Sequence, residues 1–131
     1  MDPGGSNVER RHLKRHTAAI PALVRTAKET WQAEITSVSK KGLSLRSITL
    51  PPPGTQVRVV IKLPPDCRFR RAGKPVESVE VVGTVVWTTD SRERGTYRYP
   101  AFGFQLEEWS SDYQEFFERF LFARDAAAPK P

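Results

Sequence analysis

The chain has 131 residues, with 21 Lys and Arg against 15 Asp and Glu and a formal net charge of +6. That length suits one domain with its own apolar core, and it contains no apolar run long enough to span a bilayer, so membrane insertion is not expected. The lone Cys67 excludes an intrachain disulfide and fits a reducing, cytoplasmic location, while the positive balance points to an anionic partner: a nucleotide, a nucleic acid or an acidic protein face.

Residues 1–9 carry Pro, Gly, Ser and Asn around a single branched aliphatic, Val8. They read as a disordered head, with no apolar signal region following Met1. The folded domain is expected over 10–124, with a disordered tail over 125–131. Arg10-Arg11-His12-Leu13-Lys14-Arg15 opens the domain as a basic arm, in which Arg11 and Arg15 lie four apart. Such a run is commonly a solvated charge cluster, but this spacing also lets two guanidinium groups close on one ligand. His12 and His16 share the same spacing. With no further histidine and no carboxylate at ligand spacing, no metal site is expected.

Ile20–Arg25 reads as a first strand, which Pro21 places at a sheet edge or a strand start. Thr26–Thr30 is its turn. Trp31, Ala33 and Ile35 alternate into Ser37-Val38-Ser39-Lys40-Lys41-Gly42, and Leu43 and Leu45 alternate out, so Trp31–Ser39 and Leu43–Ser47 form a hairpin. Gly42 is expected to supply the positive φ of a tight connection, and the hydroxyls and lysines make this bend a candidate anion holder. Its plainer alternative is a surface hairpin with solvated lysines.

Pro51-Pro52-Pro53-Gly54 forms a rigid bend. Val57, Val59, Ile61 and Leu63 make a half-buried strand, Pro64–Pro75 a long basic hairpin tip, and Val79–Trp87 the partner strand. Gly83 marks a bulge or barrel bend there. A polar loop over Thr88–Pro100 precedes a last strand carrying Phe102, Phe104 and Leu106. The chain closes with a helix: Ser111 and Gln114 fit a capping box, and Tyr113, Phe116, Phe117, Phe120 and Leu121 recur at helical spacing as a core-facing stripe. The expected fold is all-β, a six-stranded antiparallel barrel with a C-terminal α-helix over its open end or face.

The order of basic arm, edge strand, hydroxyl turn, strand meander and terminal helix resembles the PilZ family of bacterial cyclic di-GMP receptors, from about Arg10 to Arg124. That family's motifs are Arg-x-x-x-Arg and Asp/Asn-x-Ser-x-x-Gly. Arg11-His12-Leu13-Lys14-Arg15 matches the first in full. Ser37-Val38-Ser39-Lys40-Lys41-Gly42 matches the second except at Ser37. The resemblance implies a PilZ-like barrel that binds cyclic di-GMP and regulates a partner protein in motility, polysaccharide or development. Arg11 and Arg15 would hold phosphate and the guanine edge, Arg10 would add attraction, Ser39 would hydrogen-bond at the turn, and Gly42 would let the backbone pass under the ligand. Planar guanidinium suits both targets, since it meets paired acceptors with two parallel donors. Ser37 is shorter than the Asp or Asn of the pattern and weakens or loses one guanine contact.

Three function classes follow. The first is a cyclic di-GMP effector whose arm orders on binding and presents a surface to an unidentified protein. The second is a degenerate PilZ domain that does not bind the dinucleotide and acts as a protein adaptor through Arg68-Phe69-Arg70-Arg71 or Tyr97-Arg98-Tyr99. The third, a single-strand nucleic-acid binder, fits poorly because the aromatics do not form a strand platform. No nucleophile sits beside a base and no glycine loop cradles phosphate ahead of a helix, so no enzyme activity and no cofactor are expected.

Overall fold

The computed structural model describes residues 15–89 and 99–127, with backbone alone for 126 and 127. Among these residues, eight strands precede one α-helix: β1 (His16–Arg25), β2 (Thr30–Val38), β3 (Gly42–Arg46), β4 (Gln56–Lys62), β5 (Phe69–Arg71), β6 (Lys74–Val76), β7 (Ser78–Thr89), β8 (Ala101–Leu106) and α1 (Ser111–Ala127). Six of them close a barrel in the order β1-β2-β3-β8-β7-β4, all antiparallel, and β4 pairing with β1 completes the ring. Closure removes the unpaired edges that would otherwise invite aggregation.

Alternation selects the core. Ile35, Val38, Leu43, Leu45, Val57, Val59, Ile61, Phe102 and Phe104 are all at most 1% exposed and point into the barrel. Each such side chain contributes roughly 1.5–3 kcal/mol by leaving water. Tyr113 and Phe116 of α1 seal the core with no exposure at all, and Phe120 and Leu121 pack at its margin. The aromatic stripe is therefore core, as its spacing implies.

Several expectations are refined. β1 begins at His16, four residues before the expected Ile20, and Pro21 lies inside it. There β1 pairs with β2, but β4 joins only from Ala22, so Pro21 occupies an edge-like stretch. The Pro64–Pro75 tip is a single 3-10 turn at Pro65–Cys67 followed by the small β5–β6 hairpin, with Cys67 and Phe69 buried beneath it. Its bend uses φ of 54° at Ala72 and 78° at Gly73, the left-handed pair of a two-residue hairpin turn. The β7 bulge falls between Val85 and Trp87 rather than at Gly83. Gly83 is instead required by clearance: a Cβ there would collide with the Gln105 carbonyl and lie 2.6 Å from the Phe104 ring.

The helix cap also sits one residue earlier than expected. Ser110 Oγ accepts the Tyr113 N–H at 3.2 Å and the Ser110 carbonyl accepts the Gln114 N–H at 3.0 Å, which makes Ser110 the N-cap. Gln114 thus falls one position past the box and bonds Glu118 instead. At its other end α1 runs to Ala127, past Asp125, where the tail is expected to begin. No helix among the described residues is long and apolar enough to cross a membrane.

Candidate functional site

A bulge builds the site. Period-two alternation from Ile35 would turn Ser37 inward, but β2 carries a bulge between Ile35 and Ser37, so Thr36 is an extra residue and the phase flips. Val38 becomes the buried residue, and Ser37 is left opposite Ser44 of β3 on the outer wall. Thr36 Oγ1 donates to the Ser44 carbonyl at 3.2 Å, which steadies the irregular pair.

Arg15 reaches this pair from the base of the basic arm. Its Nη1 donates to Ser44 Oγ at 2.8 Å and lies 3.4 Å from Ser37 Oγ, a weaker contact. Thr17, two residues on, pairs with Ser37, so the start of β1 is what carries the guanidinium over the hairpin. Among the described residues no carboxylate forms an ion pair with Arg15, whereas Arg25, Arg46, Arg58, Arg71 and Arg119 each have one. A cation resting on two neutral hydroxyls is poised to exchange them for an anion, because an anionic acceptor adds a charge–charge attraction that a neutral hydroxyl lacks.

Ser39 and Gly42 lie beneath this surface. Ser39 is 4% exposed; its hydroxyl accepts the Gly42 N–H and donates to the Gly42 carbonyl, both at 3.1 Å. The Ser39 N–H also bonds the Gly42 carbonyl at 2.9 Å, so this residue holds the turn closed. Gly42 does not use the positive φ expected of it; among described glycines only Gly54 and Gly73 do. A Cβ at Gly42 would instead run into the Phe104 carbonyl oxygen, so glycine is needed because β8 passes close. Lys40 and Lys41 are exposed at the tip, and Lys40 Nζ stands 5.9 Å from the Trp109 ring centroid.

The helix supports the same bend. Tyr113, buried among Trp109, Phe116 and Phe117, donates its phenol to the Ser39 carbonyl at 2.6 Å. Burial pushes its pKa well above the ordinary phenol range, and the nearby Arg15 charge offsets this in part. His16 lies against Phe117 with centroids 6.2 Å apart, and Arg124 donates to the Thr17 carbonyl at 2.9 Å. The root of the arm, the turn and α1 are thus one packed unit.

Of the residues singled out from the sequence, Arg15 and Ser37 converge on the outer wall, while Ser39 and Gly42 shape the turn under it. Arg10 and Arg11 lie outside the described residues, as do Tyr97 and Arg98 of the aromatic loop. Ser44, the nearer partner of Arg15, is missing from that set. It stands between the inward Leu43 and Leu45, a signal that marks an outer-wall position but not a ligand for arginine. The alternative basic tip is partly spent: Arg71 donates twice to Asp112 Oδ1, at 2.6 and 2.9 Å, and Arg70 donates to the Gly73 carbonyl.

Comparison with protein families finds the PilZ domain over residues 9–123. Among solved structures the chain is similar to the Bacillus subtilis inhibitor of motility, MotI/DgrA, with 15% identity and a TM-score of 0.68 over 91% of this chain and 53% of that one. This chain therefore spans about half the length of that protein. It is also similar to the PilZ domain of YcgR from Escherichia coli with c-di-GMP, at 15% identity and a TM-score of 0.65 over 89% of this chain and 94% of that one. The PilZ domain of CeSA from a cellulose-synthesizing bacterium aligns at 13% identity and a TM-score of 0.52, over 88% of this chain and 99% of that one. A comparison with curated proteins finds no match.

Proposed function

The chain belongs to the PilZ domain family, and from that premise we propose that it is a cyclic di-GMP-binding signalling effector that acts by binding rather than catalysis. The observation that carries this reading is the Arg15 guanidinium, unpaired with any carboxylate among the described residues and set on Ser44 and Ser37 at 2.8 and 3.4 Å. In the family's pattern Arg11 is the first arginine and Arg15 the second, with Arg10 beside them. On binding, the dinucleotide phosphate replaces the serine hydroxyls at Arg15, and a guanine offers O6 and N7 to a guanidinium fork. The arm then folds over the hairpin at the cost of its ordering entropy, and the new surface is what a partner protein reads. Relatives with motility and c-di-GMP in their names support this output class.

Ser37 favours a second reading, in which the domain no longer takes the dinucleotide and serves as an adaptor. A serine offers one short acceptor where Asp or Asn would offer a longer one, and losing a polar partner costs roughly 1–3 kcal/mol. Calorimetry of the protein with cyclic di-GMP, alongside Arg15→Ala, decides between them. Micromolar or tighter binding that the substitution weakens at least tenfold supports the effector. No heat at millimolar ligand supports the adaptor.

A further inference from the structure

We infer that the barrel end away from α1 carries a docking groove for an extended acidic segment of a partner protein, one that sets an apolar side chain beside an aspartate or glutamate. The inference rests on the reading that this domain acts through a partner, with or without the dinucleotide. The groove, of about 540 Å³, opens between the β1–β2 turn and the loop from β3 to β4, a size usual for ligand sites. Half-buried Trp31 and Leu50, with Pro51 and Pro52, supply its apolar lining, and Ala27 is exposed at its rim. Its walls are set before any partner arrives. Thr26 Oγ1 accepts the Lys28 and Glu29 N–H groups at 3.3 and 3.2 Å, Thr55 Oγ1 donates to the Pro52 carbonyl at 2.6 Å, and the Trp31 indole N–H donates to Ser47 Oγ at 2.8 Å. A preformed groove spares the complex the cost of ordering it.

Charge selects the occupant. Thr26, Ala27 and Gln56 line this groove and also an adjoining hollow of about 230 Å³, where Arg25 and Arg58 stand. Those two arginines face each other directly across the β1–β4 ladder, an arrangement in which like charges repel. Glu80 serves both, but only at 3.9 and 3.6 Å, and all three side chains are about half exposed. One carboxylate thus stands against two guanidinium groups through contacts too long and too wet to hold them firmly. Lys28 adds a positive charge at the groove and Glu29 a negative one, so the balance of the whole rim stays positive. A formal net charge of +6 sets a second copy of this chain against such a rim, whereas an acidic segment is drawn to it. A wholly acidic segment would leave Trp31 and Leu50 uncovered; one with an apolar residue beside the acid engages both hollows. Arg15 lies at the other end of the ten-residue β1, roughly 30 Å away, so partner and dinucleotide do not compete for space.

The test screens the full chain on an array of random-sequence peptides, then measures the strongest binders by fluorescence anisotropy against wild type, Ala27→Trp and the double variant Arg25→Gln with Arg58→Gln. Binders should combine Asp or Glu with Leu, Phe or Trp, and should weaken as salt rises. Loss of the charge-assisted bonds predicts about a tenfold or greater fall in affinity for the arginine variant. Ala27→Trp, which fills the groove from an exposed turn, should lower affinity to a similar degree. Binders without acidic residues, wholly acidic binders indifferent to Ala27→Trp, or no binders at all would overturn the proposal. Binding that persists in both variants would also overturn it, by moving the peptides to the basic arm, as would dimerisation that Ala27→Trp abolishes, which gives the groove to a second copy. Should one variant fail to fold, the other decides alone. Cyclic di-GMP calorimetry on wild type reads the Arg15 site separately, so failure of the groove and failure of the dinucleotide reading are distinct results.

Discussion

The phenol of Tyr113 donates a 2.6 Å hydrogen bond to the carbonyl of Ser39, which joins the first turn of α1 to the bend between β2 and β3. Both residues are buried, so neither group has water as a substitute. Tyr113→Phe removes the donor and leaves the Ser39 carbonyl without it, a loss of about 1–3 kcal/mol in urea or thermal unfolding. The sign with pH follows from burial, which raises the phenol pKa in the folded state above its ordinary value. Folding then favours the protonated form, so this contribution is complete below pH about 10 and is lost as pH rises beyond it. Wild-type stability should fall above pH 10 more steeply than that of Tyr113→Phe; parallel curves would remove the phenol from this role.

Glycines separate into two kinds, and substitution tells them apart. Gly42→Ala places a Cβ against the Phe104 carbonyl, where backbone and not a flexible side chain must yield, so β3 and β8 are forced apart. The expected cost is about 3 kcal/mol, at the upper end for overpacking. Gly73 has φ of +78° but open space around it, so Gly73→Ala carries only the left-handed penalty, about 1–2 kcal/mol. Denaturant midpoints that place Gly73→Ala below Gly42→Ala would overturn the clearance argument.

The barrel was legible because its strands bury one face: Val57, Val59 and Ile61, or Phe102 and Phe104, announce themselves by alternation, and the α1 stripe does so by helical spacing. The bulges in β2 and β7 were not, because an inserted residue is a fact about pairing with a distant strand. At Ile35/Ser37 and Val85/Trp87 the phase reverses without any local mark. The first of these reversals built the outer wall that holds Ser37, so the site was harder to read than the fold. The motif spacing did bring Arg15 to Ser37, but Ser44 passed as an ordinary outward residue. The turn position of Gly42 suggests a conformational reason for glycine, whereas the actual reason is the approach of β8, a neighbour some sixty residues away in the chain. β5 and β6 are three residues each, too short to show any period.

Cys67 offers a check on packing beneath the β5–β6 hairpin. The thiol is 1% exposed, and its pKa is pushed up to about 11, first by burial and then by the adjacent Asp66 charge. The thiolate is the reactive species, so both access and ionisation oppose attack. Native protein at pH 8 should resist iodoacetamide for hours and label completely in denaturant. Rapid labelling of native protein would mean that the hairpin opens readily, in conflict with the Arg71–Asp112 contact that ties it to α1.

Restoring the family residue at Ser37 tests the binding chemistry directly. Ser37→Asn and Ser37→Asp each return an acceptor long enough for the guanine N1–H and N2–H₂ edge, so each should tighten cyclic di-GMP binding by about tenfold or more. They differ before ligand arrives. With Arg15 Nη1 only 3.4 Å from Ser37 Oγ, an aspartate can take the guanidinium for itself. An exposed pair of this kind holds about 0.2–1 kcal/mol, which competes with the phosphate and weakens as salt rises. The Asp variant should therefore gain on the Asn variant as salt is raised from 50 to 300 mM, after correction for the salt dependence of wild type. Affinities unchanged from wild type in both variants would place the guanine edge away from Ser37.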